Sequence, residues 1–225
     1  MLPLRDHLPT RLVPWVNYAL IAANVVAMGA EVTFEGVERW ALVPSQLLAH
    51  PVAYAPTLLT HMFLHASVAH LAGNMLFLWI FGDNVEDALG HLRYALFYLA
   101  CGIAAALTEA AVMPHSNASM LGASGAIAGV LAAYGVLYPR SPITVLNPIP
   151  ILWLFWGLFL SFPAWVVILE FFAVNLYDAF TSGGGSGVAF AAHVGGFIAG
   201  VVLLRVMQKR EPVDYDPWQR LLRNA

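Results

Sequence analysis

The stretch Leu121-Gly122-Ala123-Ser124-Gly125-Ala126-Ile127-Ala128-Gly129 places a single hydroxyl between glycines at the start of an apolar segment. Small residues in such a segment let membrane helices approach one another closely, and a serine among them can bond to its own backbone. The strand-to-helix turn Gly-x-Ser-x-Gly is excluded, because its second glycine would stand one position after Gly125. Taken alone, the stretch indicates a packing role for Ser124, and a chemical role must be argued from the rest of the chain.

The composition places the chain among integral membrane proteins. Of its 225 residues, 60% are apolar and 10% are charged, which is far from the usage of soluble domains. Apolar segments of about 17 to 25 residues are each long enough to cross a hydrocarbon core of roughly 30 Å. The lipid bilayer is the expected surrounding, and no basic patch with interleaved aromatic residues indicates a nucleic-acid partner. The pattern predicts an all-α polytopic fold with six membrane spans, at about 15–30, 67–81, 91–112, 121–138, 163–180 and 188–207.

Two further apolar segments are not counted as spans. The segment 31–66 is too polar to cross and too apolar to be disordered, so we expect a membrane-associated first loop. The segment 143–160 is long enough, but Asn147, Pro148 and Pro150 would interrupt the hydrogen bonding that a helix in lipid requires. We assign it to the membrane interface or to a re-entrant segment.

The basic residues support this topology. With six spans and the N-terminus inside, nine of the ten basic residues fall on the cytoplasmic side. A seventh span would move the basic end of the chain outside, so both termini are expected in the cytoplasm. The division is then a lead at 1–14, a membrane domain at 15–207 and a tail at 208–225. The lead resembles neither a signal peptide nor a transit peptide, which favours the plasma membrane of a prokaryote.

Strongly polar side chains inside three spans fall at the same depth. His70 and Asn74 are four residues apart and share one face of the second span. Ser124 lies in the first turn of the fourth span, and His193 lies about one and a half turns into the sixth. Such groups are costly in lipid and normally face the interior of a bundle. All three spans begin on the outer side, so the four side chains are expected to meet in the outer leaflet.

The glycines supply the close approach that these groups need. Two Gly-x-x-x-Gly pairs mark the faces on which the fourth and sixth spans are expected to pack: Gly125 with Gly129, and Gly196 with Gly200. Contact between these faces would bring a nitrogen of His193 within about 2.6 to 3.2 Å of the Ser124 hydroxyl.

Such a pair can perform acyl transfer. His193 would act as general base towards Ser124 and then as general acid towards the leaving amine. The backbone N–H of Ser124 at a helix N-terminus, with His70 and Asn74, could stabilise a tetrahedral oxyanion. Taken alone, His70 and Asn74 could equally be interhelical hydrogen-bonding residues. No Asp or Glu lies at this depth in these two spans, so the unit would be a dyad.

Other polar residues have structural interpretations. His61 and His65 are four residues apart and could bind a metal ion, but a continuous helix would turn His70 to nearly the opposite side and leave no third ligand. We prefer hydrogen bonds that anchor the first loop, and we expect neither a metal nor another cofactor. Glu86, on the cytoplasmic side, is interpreted as a carboxylate that locks a turn.

In the order and spacing of its polar and glycine residues, the sequence resembles the rhomboid family of intramembrane serine proteases. The resemblance covers the chain from Trp15 to Arg210, and its motifs, in order, are His61-x-x-x-His65-x-x-x-x-His70-x-x-x-Asn74, Gly82-x-x-x-Glu86-x-x-x-Gly90, Gly122-Ala123-Ser124-Gly125 and Ala192-His193-x-x-Gly196-x-x-x-Gly200. It implies a nucleophile at Ser124, a base at His193, and an oxyanion site formed by His70, Asn74 and the Ser124 amide. The remaining motif residues would be structural: His65, Glu86, Gly122, Gly125, Gly129, Gly196 and Gly200.

The resemblance also implies a fold and a class of substrate. The family fold is a six-helix bundle with an active site that opens outward and a substrate gate around the fifth span. The expected substrates are transmembrane proteins, cut near their outer ends after a small residue. Family members often carry an aromatic residue one turn after the serine that stacks on the histidine. This chain has Ala128 there, so His193 must be steadied in another way. The glycine-rich residues 183–187 would form a mobile lid.

Two other classes of function compete with a protease. A catalytically inactive relative could bind membrane proteins or act in their quality control, which is disfavoured because both Ser124 and His193 are present. A small transporter or channel is disfavoured because the carboxylates well inside spans form no relay, namely Glu109, Glu170 and Asp178.

Overall fold

The computed structural model describes residues 2–147, 149–181 and 190–209. The helical class predicted from the sequence is confirmed, although a small sheet accompanies the helices. The longer helices of the described residues are α1 (Trp15–Thr33), α2 (Val68–Leu89), α3 (His91–Val112), α4 (Ser124–Leu137), α5 (Ala164–Thr181) and α6 (Phe190–Met207). Between α1 and α2 the chain forms short helices at Pro44–Ala49, Pro51–Tyr54 and Thr57–Thr60, with 3-10 turns at Val37–Trp40 and His61–Phe63.

Several of these helices suit a bilayer. Among the described residues, α1, α3 and α6 are each long and apolar enough to cross a membrane. The residues Pro51–Phe63 and helix α2, which meet at a bend of 78°, would count as a fourth span if they cross as one broken segment. The count of six spans therefore stays a prediction.

Helix α4 occupies the centre of the bundle. All of its residues from Gly125 to Tyr134 are buried, as expected for a helix that is apolar on every side. Helices α2, α3, α5 and α6 pack around it. The first residue of this central helix is Ser124, so the hydroxyl lies at the inner end of a pocket rather than on the lipid-facing surface.

Glycine allows α4 and α6 to approach to backbone contact. A β-carbon at Gly196 would collide with the carbonyl of Gly125, and one at Gly200 would lie 2.7 Å from the Cα of Gly129. The structure thus brings together the two Gly-x-x-x-Gly faces that the sequence singles out. On its other side, Gly129 leaves room for Cys101 of α3.

Helix α2 is longer than the sequence suggests. The residues Gly82-Asp83-Asn84 predict a helix end, but α2 continues to Leu89. The reason lies in tertiary packing, because a β-carbon at Gly82 would collide with the amide of Asn17 and lie 2.6 Å from the hydroxyl of Tyr94. Gly82 is therefore a packing glycine at the crossing of α1, α2 and α3, and the prediction of a helix end was wrong.

Glu86 ties the start of α1 to α2 and α3. Its carboxylate is fully buried and accepts the backbone N–H groups of Val16 at 3.0 Å and Asn17 at 2.7 Å. These donors belong to the first turn of α1, which has no partner for them within the helix. The same carboxylate bonds to Nδ1 of His91, just past the turn between α2 and α3. Glu86 therefore does more than lock a turn, since it also caps a separate helix.

Replacing Glu86 with alanine is expected to lower the free energy of unfolding by about 3 kcal/mol, because buried N–H donors lose a charged acceptor. Thermal and chemical unfolding in detergent micelles measures the change. The matched control is Glu38→Ala, which removes an exposed carboxylate from the first loop and should change stability by less than about 0.5 kcal/mol. Equal stability of the two variants would contradict the capping role.

The described residues of the segment 143–160, which the sequence assigns to the membrane interface or to a re-entrant segment, belong to a β-hairpin. Strands β1 (Leu2–Arg5), β2 (Pro142–Leu146) and β3 (Phe159–Pro163) make an antiparallel sheet in the order β1-β2-β3. Strand pairing satisfies the backbone groups that the prolines would leave open in a helix. The turn between β2 and β3 contains the short helix Trp153–Trp156, where Phe155 is 76% exposed. Contact of this tip with a membrane interface stays a prediction.

The hairpin joins the base of α5 directly. Strand β3 ends at Pro163 and α5 begins at Ala164. The N–H of Ala164 donates to the carbonyl of Ser141 at 2.8 Å, and the N–H of Trp165 donates to that of Pro139 at 3.1 Å. Helix α5 is thereby fixed at its first residues to the chain that leaves α4.

The described part of the lead, residues 2–14, packs against the same end of the bundle. Besides β1, its Asp6 carboxylate accepts hydrogen bonds from the amide of Asn84 and the hydroxyl of Tyr134, both at 2.8 Å. Burial, and secondarily the carboxylate of Asp83, raises the pKa of Asp6 to about 7, although the hydrogen bond from Tyr134 acts in the opposite direction. Asp6 therefore holds its proton more tightly in the folded than in the unfolded chain.

This difference predicts a pH dependence of stability. A carboxyl group with a raised folded-state pKa binds more protons in the folded state, so the free energy of unfolding falls as the pH rises from about 4 to about 7. The variant Asp6→Asn keeps a side chain of the same shape without a titrating proton. Its melting temperature in detergent should fall less steeply than that of the wild type over this window. Parallel pH profiles would contradict the role of Asp6.

Candidate active site

Ser124 and His193 lie side by side. The Oγ of Ser124 is 2.7 Å from Nε2 of His193, within the range for a hydrogen bond between a nucleophile and its base. The two residues are separated by 69 positions in the chain and come from α4 and α6, whose backbones touch through the glycines described above. The imidazole is 4% exposed, so bulk water has little access to it.

The chain before Ser124 has a conformation that requires glycine. Gly122 has φ of +124°, which residues with a β-carbon rarely adopt. Its N–H donates to the carbonyl of His61 at 2.9 Å, and this bond attaches the stretch to the first loop. Helix α4 begins two residues later at Ser124, where the first N–H groups have no partner within the helix. These donors and the positive end of the helix dipole lie beside the Ser124 hydroxyl.

His70 and Asn74 of α2 approach the same backbone. A β-carbon at Gly122 would lie 2.9 Å from Nε2 of His70 and 3.7 Å from Nδ2 of Asn74. A side chain at residue 122 would therefore displace the ring of His70, whereas Asn74 would remain at an ordinary contact distance. Asn74 Nδ2 donates one hydrogen to Nε2 of His65 at 2.9 Å, and its second hydrogen is available on the side of the pocket.

The histidines of the first loop serve in hydrogen bonds. Nδ1 of His61 lies 2.7 Å from the carbonyl of Thr57, and buried His65 orients Asn74 through Nε2. The backbone N–H of His65 in turn donates to the carboxylate of Glu31 at 3.0 Å. The two histidines thus form the hydrogen bonds of the first loop that the sequence predicts, and His65 also holds Asn74 of α2.

These groups line one cavity of about 790 Å³. Its wall contains the predicted site residues Ser124, His193, His70 and Asn74, together with Gly122. Phe77 of α2 also lines the cavity, and α5 contributes the side chains of Phe171, Val174, Asn175 and Asp178 to its wall. The volume is of the size that holds an extended stretch of a few residues of peptide.

The glycine-rich residues 183–187, for which a lid is predicted, lie outside the described residues. The prediction of a lid therefore stays a prediction.

Two contacts at the site were not predicted from the sequence. Glu109 of α3 accepts the backbone N–H of Ala192 at 3.1 Å, so this carboxylate fixes the residue next to His193. The ring of Phe171 lies with its centroid 5.6 Å from that of the His193 imidazole. Neither contact has a signal in the sequence, because an acidic and an aromatic residue inside a span have many other possible neighbours.

Comparison with known proteins matches the sequence to one family. A family model described as the Rhomboid domain matches residues 53–210, more than half of the chain. The rhomboid protease GluP of Bacillus subtilis is 46% identical over 76 residues, which are 34% of this chain and 14% of that protein.

Two further relatives differ in what their names state. Rhomboid protein 1, mitochondrial, of Saccharomyces cerevisiae is 29% identical over 192 residues, 82% of this chain and 51% of that protein. Inactive rhomboid protein 1 of Drosophila melanogaster is 36% identical over 76 residues, 34% of this chain and 5% of that protein. The matched region is about half or less of the length of each of these three relatives. The family match over more than half of the sequence, together with the apolar helical bundle, shows that the chain belongs to the rhomboid family of integral membrane proteins.

Proposed function

We propose that the protein is an intramembrane serine endopeptidase that cuts transmembrane protein substrates with a dyad of Ser124 and His193. The observation that carries the proposal is the 2.7 Å distance between Oγ and Nε2 at the wall of the cavity. Packing alone would require neither an imidazole nor a hydroxyl inside an apolar bundle, where both are costly. Membership of the rhomboid family supports the same function.

The dyad provides every proton transfer that the reaction requires. Nε2 of His193 takes the proton of Oγ as this oxygen attacks the carbonyl carbon of the scissile peptide bond. The imidazolium then gives the proton to the departing amine, and the C–N bond breaks to leave an ester on Ser124. A water molecule, deprotonated by the same nitrogen, hydrolyses the ester and restores the hydroxyl. The cycle needs the tautomer with its proton on Nδ1, so that Nε2 is free to accept.

The oxyanion of the tetrahedral intermediate requires donors fixed in advance. The backbone N–H of Ser124 and the side chains of His70 and Asn74 surround the space next to Gly122. Preorganised donors of this kind act on the charge that develops in the transition state. We infer that these three groups form the oxyanion site.

The oxyanion role of His70 predicts an effect on the chemical step. Replacing His70 with alanine should lower kcat by about 10²-fold with little change in KM, because the lost donor acts on the developing charge. Steady-state cleavage of a reporter substrate separates the two constants. The matched control is His50→Ala, which removes an exposed histidine that stacks on Tyr54 in the first loop. A loss confined to KM would assign His70 to substrate binding instead.

The distribution of the basic residues indicates the orientation of the protein in the membrane. We infer that both termini face the cytoplasm and that Ser124 lies towards the outer leaflet, since nine of ten basic residues then lie inside. Substrates would accordingly be cut near their outer ends, after a small residue. A prokaryotic plasma membrane is the location that we infer from the sequence; one of the relatives is a mitochondrial protein by name.

The second candidate is a rhomboid-like factor that binds membrane proteins without cutting them. It is favoured by the similarity to a relative whose name says that it is inactive. Family membership alone does not distinguish the two candidates. The distance between Ser124 and His193 favours the protease, because a binding factor has no need for this contact.

One experiment separates these candidates. The purified protein is reconstituted in liposomes with a reporter that has one transmembrane segment with Ala, Gly and Ser near its outer end, and it is also treated with a fluorophosphonate probe. We expect two reporter fragments and, by mass spectrometry, a phosphonylated Ser124. Folded protein that neither cleaves nor reacts would support the inactive factor. Labelling at Ser124 without cleavage would show that the serine is reactive but would contradict the proposed endopeptidase activity.

A further inference from the structure

The imidazole of His193 makes a single hydrogen bond within the described part of the chain. Nε2 faces Ser124, and Nδ1 is buried with no hydrogen-bond partner in the described part of the chain. In a catalytic histidine, the bond made by one ring nitrogen normally sets the tautomer and orientation of the other. Ala128, one turn after Ser124, carries only a methyl group. Within the described residues, neither a hydrogen bond at Nδ1 nor an aromatic side chain at position 128 fixes the ring.

Phe171 of α5 is in the position to do so. Its ring centroid lies 5.6 Å from the imidazole centroid, at an interplanar angle of 55°, within the distance range of favourable ring contacts. The ring of Phe171 also packs on that of Phe77 of α2, with centroids 5.4 Å apart. A row of rings thus connects α2 through α5 to the imidazole on α6.

We propose that Phe171 is a positioning residue that holds the imidazole of His193 in line with Ser124. The proposal rests on the protease function proposed above and deepens it. It makes the orientation of the base depend on α5, the same helix that contributes to the wall of the cavity. The base is oriented when the ring of Phe171 contacts both Phe77 of α2 and His193, as it does in this structure, and a displacement of that ring releases the imidazole.

A simpler role for Phe171 predicts a different result. If the ring only fills space in the cavity beside Phe77, a smaller side chain would widen the cavity. Cleavage of a transmembrane reporter would then rise or stay constant. A fluorophosphonate reacts at Ser124 without requiring a transmembrane segment to enter the cavity, so its reaction rate would not fall. The sign of the effect and the response of the small probe distinguish the two roles.

The test compares Phe171→Leu with the matched control Phe172→Leu. Phe172 is the next residue on α5, and its ring packs edge to face on Phe197 at 4.9 Å. For Phe171→Leu we expect kcat and the rate of fluorophosphonate labelling to fall together by about tenfold or more, with KM within about twofold. Phe171→Tyr keeps the ring and should retain kcat within about threefold, whereas Phe172→Leu should leave both rates close to wild type.

Thermal unfolding of all three variants in detergent shows whether they fold. Unchanged or increased kcat for a folded Phe171→Leu variant would overturn the proposal, as would an equal loss in the Phe172→Leu control. Failure of Phe171→Tyr to retain the rate would also overturn it. Should the wild type neither cleave nor label, the proposed function itself fails. Should the wild type be active while Phe171→Leu is too, only the positioning role fails.

Discussion

Replacement of Ser124 with alanine is expected to reduce cleavage of a transmembrane reporter by about 10⁴-fold or more. The variant keeps the helix start and the donors around the cavity but has no atom that can form the acyl ester. His193→Ala should cause a loss of similar size, because the serine is a weak nucleophile without its base. The double variant should be no slower than either single variant, since the two groups act as one unit. Cleavage in liposomes, followed over several hours, measures all three.

The control for Ser124 lies in the same cavity. Ser119 also lines the wall and is exposed, yet it lies before the turn at Gly122 that leads into α4. The variant Ser119→Ala should cleave within about threefold of the wild type, and the fluorophosphonate should still label it. Cleavage by Ser124→Ala near the wild-type rate would exclude the proposed chemistry, whatever the control shows.

Replacement of Gly196 with valine is expected to prevent the native packing of α4 against α6. Even the first added carbon would collide with the backbone carbonyl of Gly125, and a helix backbone cannot move aside as a flexible side chain can. The destabilisation should reach about 3 kcal/mol or more, at the upper end of overpacked cores. Since Ser124 precedes Gly125 by one residue, any separation of the helices also lengthens the 2.7 Å contact with His193. We expect the loss of both cooperative unfolding and probe labelling.

Gly29→Ala provides the matched control for this prediction. Gly29 lies within α1, and a β-carbon there would have no neighbour within 4 Å. Alanine at a helical position with free space should stabilise slightly, by about 0.4 to 1 kcal/mol. Melting temperatures in one detergent compare the two variants. A Gly196→Val protein as stable as Gly29→Ala would show that the close approach of α4 and α6 is not required.

The parts of the site that follow a regular spacing could be predicted from the sequence. His70 and Asn74 share a helix face, and the glycine pairs of α4 and α6 mark a contact surface, because helical periodicity alone decides which residues lie together. The depth argument then links His193 with Ser124 across 69 residues. The structure places these side chains around one cavity.

The other features of the fold and the site depend on contacts between distant residues, which no local sequence pattern predicts. The end of α2 was predicted too early, because Gly82 acts through its neighbours Asn17 and Tyr94 and not through the helix itself. The sheet pairs Leu2 with Leu146, and strands this short and this distant have no signature in the sequence. The rotation of α5 that turns Phe171 towards His193 is set by packing between three helices.

The attachment of α5 at one end has a geometric consequence for how the cavity can open. The helix is 18 residues long, and at 1.5 Å per residue its Phe171 and Asp178 stand about 10 Å and about 21 Å from Ala164. A tilt of about 10° pivoting on Ala164 would therefore shift Asp178 by about 4 Å but Phe171 by only about 2 Å. The cavity wall at Asp178 would therefore move about twice as far as the ring of Phe171 moves from the imidazole. A tilt of α5 about its first residue could thus widen the cavity while the ring of Phe171 stays close to His193.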